Sequence, residues 1–202
     1  MTDEARAIER LARGDERAFE ELATLYQRAL YSHAYRMLSN EAQAEDAVQD
    51  AFLLAYRGRA TFRGGSFKAW LFRILTNRCL DLLRDAKRHG TISLDPAPVE
   101  EDEPPRPDPI DAGPSVEQLA TTSELLRHVE EALETVPVEQ RVAVLLRDVQ
   151  GFDYEEIAQI TTTELGTVKS RIHRGRLAVR AHLVARGWRP GNPRDPKAVG
   201  EE

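Results

Sequence analysis

Between residues 91 and 114 the chain changes character: Pro96, Pro98, Pro104, Pro105, Pro107, Pro109 and Pro114 are interspersed with Asp95, Glu100, Glu101, Asp102, Glu103, Asp108 and Asp111. Proline has no backbone N–H to donate and neighbouring carboxylates repel, so this stretch cannot build a core. It reads as an extended, flexible acidic linker. Whatever folds must therefore do so as two modules, residues 1–90 and 115–186, each large enough for a core of its own. The end of the chain, 187–202 (GWRPGNPRDPKAVGEE), has no periodicity and is expected to be disordered.

Both modules carry the helical period. In the first, Asp15 can cap a helix in which Phe19, Leu22, Tyr26, Leu30, His33 and Met37 recur at three- and four-residue steps. His33 lies within that stripe and reads as a core histidine rather than a ligand. After Ser39 and Asn40 a second helix turns Ala47, Val48, Ala51, Leu54 and Ala55 inward and leaves Asp46, Gln49, Asp50 and Leu53 outside. An acidic strip with an embedded leucine suits plain solvated surface and a docking face for a basic helix equally well.

A basic, glycine-containing loop, RGRATFRGG at 57–65, leads into SFKAWLFRILTNRCLDLLRDAKRH. There Leu71, Phe72, Leu75, Cys79, Leu82 and Leu83 make an apolar face, while Trp70, Arg73, Asn77, Asp81 and Arg84 form a separate stripe. Aromatic and guanidinium planes stack on bases, amides read base edges and cations follow a phosphate backbone, so the stripe suits single-stranded nucleic acid. The bland alternative is a Trp70 that packs inward and an Asp81 that merely pairs with Arg84.

In the second module Ser115 and Gln118 form a capping box, Leu119, Leu126, Val129, Leu133 and Val136 mark a helix ended by Pro137, and Val142, Leu145, Leu146 and Val149 mark the next. The stretch from Gln150 to Arg176 then reads as two short helices around a tight turn. Asp153 caps the first with Glu156 reaching back, Ile157, Ala158 and Ile160 bury one side, and the chain breaks at Thr161 and Thr162. The second helix, from near Thr163, turns Leu165, Val168, Ile172, Val179 and Leu183 inward. Thr167, Ser170, Arg171 and Arg174 line the opposite side, flanked by Lys169 and His173, and from Leu165 to Pro190 there is no acid at all. This is the pattern of a helix-turn-helix whose second helix enters the major groove.

Composition sets limits on what such a chain does. A net charge of -6 opposes binding of any polyanion by the molecule as a whole, so DNA contact must come from local basic faces, assisted by a partner. No apolar run approaches the roughly 18 residues that span a bilayer, and the first residues lack the apolar segment of a signal peptide; the cytoplasm is the expected compartment. Cys79 is the single cysteine, and His33, His89, His128, His173 and His182 form no pair at metal-ligand spacing. With no glycine-rich phosphate loop or nucleophile motif either, no enzymatic activity, catalytic residue, metal or cofactor is expected.

Three motifs in order, AEDAVQDAF at 44–52, FKAWLFRILTNRCLDLLR at 67–84 and GTVKSRIHRGR at 166–176, closely resemble the extracytoplasmic-function (ECF) group of bacterial RNA polymerase sigma factors, in the sigma-70 family. The resemblance covers about Ala18 to Leu183. It implies an all-α chain with a sigma region 2-like domain at 1–90, a linker at 91–114 and a region 4-like helix-turn-helix domain at 115–186. It assigns Asp46, Gln49, Asp50 and Leu53 to the clamp helices of the largest polymerase subunit, and the carboxy-terminal domain to the flap of the second-largest. Phe62, Arg63, Trp70, Arg73, Asn77 and Arg84 fall to the opened -10 strand, and Thr167, Lys169, Ser170, Arg171, Arg174 and Arg176 to the -35 duplex. It further implies an anti-sigma factor as partner, no direct membrane contact and association with the nucleoid when polymerase-bound. The rival reading from the residues alone is a stand-alone helix-turn-helix regulator that binds paired operator half-sites as a dimer.

Overall fold

The computed structural model describes residues 3–62, 64–90 and 116–188. The linker at 91–114, the Ser115 cap, Arg63, the tail from 189 onward and the side chains of 60 and 116–124 lie outside the described residues. Every regular element among the described residues is helical, in keeping with the all-α class expected from the sequence.

Four helices make the amino-terminal body: α1 (Asp3–Ala12), α2 (Glu16–Leu38), α3 (Glu41–Gly58) and α4 (Phe67–Arg88). The periodicity did not announce α1, because only Ala7 and Leu11 of it are buried. Polar contacts hold it on α2 instead: the Tyr26 hydroxyl donates to Glu4, and Arg10 pairs with Glu21 and, at 3.6 Å, with Asp15. Side chains cap the other three, with Asp15 accepting from Arg17 N (3.0 Å), Asn40 from Gln43 N (2.9 Å) and Ser66 from Ala69 N (3.1 Å). Each cap satisfies an amide that the first helical turn leaves orphaned.

The whole α2 stripe, Phe19 through Met37, is buried. Ala44, Ala47, Ala51 and Ala55 of α3 are fully buried, a face of methyls that lets α3 lie close to both α2 and α4. Leu54, expected on that face, is half exposed: at 100° per residue it sits at the edge of the alanine face, about 65° from its centre. His33 is buried in the core, with Nε2 3.3 Å from Thr76 Oγ1 and its ring edge-on to Phe72 at 5.3 Å. Burial, aided by nearby Arg36, pushes its pKa down to about 3.

The carboxy-terminal body comprises α5 (Val116–Thr135), α6 (Val138–Val144), a π turn at Leu145–Val149, α7 (Tyr154–Thr161) and α8 (Leu165–Ala185). The π turn was not foreseen. Its wider i+5 bonding, with Gln150 N on Leu145 O at 3.0 Å, shifts the helical phase and leaves Val149 half exposed rather than buried. Leu126 of α5 is exposed as well. Gly175 of α8 is buried in the crossing with α6, where a Cβ would fall 2.6 Å from Val144 Cγ2 and 3.1 Å from Gln140 O. At the end of α8, Gly187 takes φ +88, Gly187 N bonds Val184 O and Trp188 N bonds Leu183 O, which closes the last turn in a Schellman arrangement.

The two bodies meet. Phe72 of α4 lies edge-on to Phe152, just before α7, with ring centroids 5.1 Å apart, and both are buried, so one apolar core runs through the molecule. Arg141 of α6 is 5% exposed and donates to Met37 O of α2 (3.0 Å), Glu134 O (2.8 Å) and Val136 O (3.3 Å).

Two outcomes follow for stability. Gly175→Val places a branched side chain against backbone and should cost about 2 kcal/mol or more, read as a drop in thermal midpoint of several degrees or more by circular dichroism. His33 is held neutral when folded, so below its unfolded pKa near 6.5 the unfolded chain binds the extra proton and stability falls as the pH falls. Urea titrations between pH 6.5 and 5 should show a slope of about 1 kcal/mol per pH unit from this group, which His33→Phe removes.

Candidate nucleic-acid interface

Gly64 and Gly65, both with φ near +90°, turn the chain out of the 3-10 turn at Arg59–Thr61 and into α4. There Phe62, Phe67 and Trp70 form an aromatic triangle with centroids 5.3 to 5.5 Å apart. Phe67 is the buried corner, while Phe62 and Trp70 are half-buried. Arg73 and Asn77 lie exposed along the same helix, and Arg84 follows about 10 Å further on, seven residues past Asn77. Trp70 thus packs partly inward, and Arg84 Nη1 bonds Asp81 Oδ1 at 2.8 Å, the pairing that the bland reading expected. Both partners of that i,i+3 pair are well exposed, so it is worth less than about 1 kcal/mol and yields readily to a phosphate.

Asp153 and Glu156 close the reciprocal capping box that the sequence announced, Glu156 N on Asp153 Oδ1 at 2.7 Å and Asp153 N on Glu156 Oε2 at 3.1 Å. The turn between α7 and α8 passes through Thr162 at φ +54, a left-handed conformation uncommon for a branched residue. It is held by Thr163 N on Ala158 O (3.0 Å) and by the contact of the Thr161 and Thr163 hydroxyls at 2.8 Å. Helix α8 starts two residues later than the sequence suggested, with Glu164 at its cap position making no side-chain bond.

Val168, Ile172 and Leu183 of α8 are buried and Val179 half-buried, but Leu165 is exposed. Thr167 and Lys169 are exposed; Ser170, Arg171 and Arg174 are half-buried, with Ser170 Oγ donating back to Thr167 O at 3.0 Å. Arg176 stands apart from this group. Its guanidinium grips Asp148 of the π turn with two bonds, Nε to Oδ2 at 2.9 Å and Nη2 to Oδ1, a pairing that raises its pKa further.

On α3, Asp46 and Gln49 are exposed and Leu53 is 48% exposed, while Asp50 accepts from Arg78 Nε of α4 at 2.8 Å. Gln49 and Leu53 border an open groove of about 900 Å3 between α2 and α3. Phe19, Val48 and Phe52 give it an apolar lining, and Glu16, Glu20 and Glu45 an acidic rim. Two cations escaped the sequence reading. Arg78 sits at the edge of the apolar face of α4, and Lys68 reaches the other body, its Nζ 2.5 Å from Gln150 O and 4.5 Å from the centre of the Phe152 ring. Both sit one step from a stripe, and only their partners, distant in sequence, reveal them.

Among the described residues no group of three or more His, Cys, Asp or Glu side chains is placed to hold a metal ion, and no helix is long and apolar enough to cross a membrane. The Cys79 thiol is buried and its pKa is pushed up to about 12.

The models of two protein families match the chain: sigma-70 region 2 over residues 22–89, and sigma-70 region 4 over residues 126–179. The first takes in the α3 strip and the α4 stripe, and the second the helix-turn-helix. The chain is 38% identical to the ECF RNA polymerase sigma factor SigE of Mycolicibacterium smegmatis over 86% of its own length, and spans 65% of that protein. It is 35% identical to the ECF RNA polymerase sigma-E factor of Escherichia coli over 89% of this chain and 93% of that one. Two solved structures resemble it with a TM-score of 0.63: the sigma factor RpoE with the anti-sigma factor NepR from Bartonella quintana (28% identity, 82% of this chain and 96% of that one), and CnrH with the cytosolic domain of CnrY (27% identity, 89% and 96%).

Proposed function

Because this chain belongs to the ECF group of RNA polymerase sigma factors, in the sigma-70 family, we propose that it docks on core polymerase and carries the enzyme to promoters with paired -10 and -35 elements. The observation that carries the reading is the division of surfaces. An acidic, leucine-bearing strip and an acid-rimmed apolar groove belong to the body that bears the α4 stripe, and an acid-free recognition helix belongs to the other.

Asp46, Gln49, Asp50 and Leu53 receive a basic amphipathic helix of the polymerase clamp, with Leu53 as the apolar anchor and the carboxylates steering the approach. Asp50 exchanges Arg78 for that partner. The flap of the second-largest subunit holds the carboxy-terminal domain. As the duplex opens, Phe62 and Trp70 offer planes for unstacked bases, a contact worth about 1–3 kcal/mol each, and Arg63, Arg73, Asn77 and Arg84 hold the strand. Arg171 and Arg174 read guanine edges in the -35 major groove, while Thr167, Lys169, Ser170 and Arg176 fix the register on phosphates.

Neither DNA face is strong alone against a net charge of -6; polymerase joins the two at high effective concentration. The phosphoryl chemistry belongs to the polymerase, so this chain supplies positioning rather than a catalytic group and works in the cytoplasm, on the nucleoid when assembled. The likeness to a sigma factor captured with an anti-sigma factor supports an anti-sigma protein as a further partner.

In vitro transcription over a promoter library with core polymerase tests this directly: added protein should start new RNAs that share a -10/-35 pair, and their absence would end the reading. Arg171→Ala or Arg174→Ala should lower -35 discrimination by about 1–3 kcal/mol, measured as the ratio of affinities for matched and scrambled elements; equal weakening on every sequence means phosphate contact instead. Asn77→Ala and Trp70→Ala should slow open-complex formation on duplex promoters while a template opened in advance restores much of the activity; failure on both templates would point to a folding defect.

A further inference from the structure

The basic loop at 57–65 supplies a cation, Arg59, that the -10 reading leaves unused. Arg59 opens the 3-10 turn that follows α3, and its side chain folds back on that helix. Nη1 donates to Tyr56 O at 2.8 Å, the guanidinium lies 4.0 Å from the centre of the Tyr56 ring, and Nη2 donates to Glu16 Oε1 at 2.8 Å. The Tyr56 hydroxyl donates to the same Glu16 oxygen at 3.0 Å, so the first residue of α2 holds the end of α3 by two protons. From this network we infer that Arg59 is a positioning residue rather than a DNA contact: with Glu16 and Tyr56 it fixes the turn on which Phe62 and Trp70 stand for base capture. The inference rests on the -10 reading given above.

The turn reaches both planes. Phe62 N bonds Arg59 O at 3.1 Å and Thr61 Oγ1 bonds Gly58 O at 2.7 Å, so the backbone that carries Phe62 starts from the residue that Glu16 holds. The Phe62 ring then meets Trp70 at 5.3 Å and Phe67 at 5.5 Å between centres. Trp70 leans on the same turn: a Cβ at Gly58 would stand 3.8 Å from its Cζ2. A stacking surface that is in place before the base arrives spares the cost of ordering it on binding, so a loosened turn weakens capture although Glu16 and Arg59 leave the strand untouched.

Glu16 separates this role from a plain electrostatic one. A carboxylate beside a nucleic-acid face repels phosphate, so by charge alone its removal tightens strand binding, whereas by positioning its removal weakens it. The Glu16 side chain is 61% exposed and that of Arg59 32%, and the Phe19 and Phe67 rings beneath them are buried in the core, so either residue can be replaced with the fold kept.

Holoenzyme assembled from core polymerase and the full chain, with core at concentrations that saturate docking, tests this on a promoter identified by in vitro transcription. A single-stranded -10 oligonucleotide of that promoter reports strand affinity, and 2-aminopurine along the non-template strand of the duplex reports unstacked bases. Glu16→Ala and Arg59→Ala should each weaken oligonucleotide binding about three- to tenfold and slow the rise in fluorescence, with helicity by circular dichroism unchanged. Glu16→Gln, which keeps an acceptor oxygen, should fall between Glu16→Ala and wild type. The double alanine variant should be no weaker than Arg59→Ala, since both residues act in one network. In Arg59→Ala the slope of log affinity against log salt should stay that of wild type, whereas loss of a phosphate contact lowers it by about 0.7. Tighter binding by Glu16→Ala, additive losses in the double variant, or a reduced salt slope in Arg59→Ala overturns the inference. Trp70→Ala is the control for the reading beneath it: if that variant captures the strand as well as wild type, the -10 reading falls and takes the inference with it, whereas a weakened Trp70→Ala beside an unchanged Glu16→Ala removes the inference alone.

Discussion

The guanidinium of Arg141 is where both bodies of the molecule are tied together. A charge in a core is costly to desolvate, and burial lowers its pKa accordingly, yet it is not abandoned there. Three carbonyls take its protons: two where the chain leaves α5, and one from the last turn of α2. Helix ends leave such carbonyls without an internal partner and carry the negative end of the helix dipole, so one cation answers two termini at once. An apolar side chain there would strand the carbonyls, and a lysine would lack the fork needed to reach both bodies. This shared group ties α6 to α2, beside the packing of Phe72 and Lys68 of α4 on Phe152.

Around that anchor, three of the cations nearest the candidate DNA faces are answered by carboxylates of the chain itself. Asp81 holds Arg84, Asp148 holds Arg176 and Asp50 holds Arg78. Two of these acids stand on α3 and α4, and the third on the π turn. Their exposed or half-exposed geometry makes each pair weak and salt-sensitive, so a phosphate or a polymerase side chain can take either partner without breaking a fold contact. The net negative charge of the chain thereby acts locally, pair by pair, as well as through the bulk field. Stability rests on the aromatic and aliphatic contacts beneath, and the charges remain exchangeable.

How much of this was legible in the sequence depends on whether the signal was local. The α2 stripe, the Asp153 capping box, the break at Thr161 and the inward face of α8 from Val168 onward all follow from spacing within a few residues, and each is found, while Leu165 at the start of α8 is exposed. Helix α1 was missed because two buried residues are too few to show a period. Val149 and Leu54 were misjudged for two different reasons, a π turn that changes the phase and a face of alanines narrower than the apolar stripe. Lys68, Gly175 and Arg141 were invisible for a third reason. Each acts through a partner set by tertiary packing, Gln150, Val144 and Met37 respectively, and nothing near them in the chain gives that partner away. At the candidate site the sequence supplied the residue types; that Trp70 packs against Phe62 and Phe67, or that Arg176 is already engaged, came only from the fold.

Phe72 shows how two helical bodies come to share one continuous core. One edge of its ring meets His33, which is bonded to Thr76 deep inside the α2–α4 pair, and another meets Phe152. Of these two ring contacts only the second crosses between the bodies. His33 is neutral in its pocket, with Leu71 and Leu75 fully buried on the same helix as Phe72, and on the other side Ile157 and Ile160 of α7 are buried. Buried residues of both bodies form one continuous cluster across this seam, so the place of the helix-turn-helix against α4 is set by core packing as well as by Arg141.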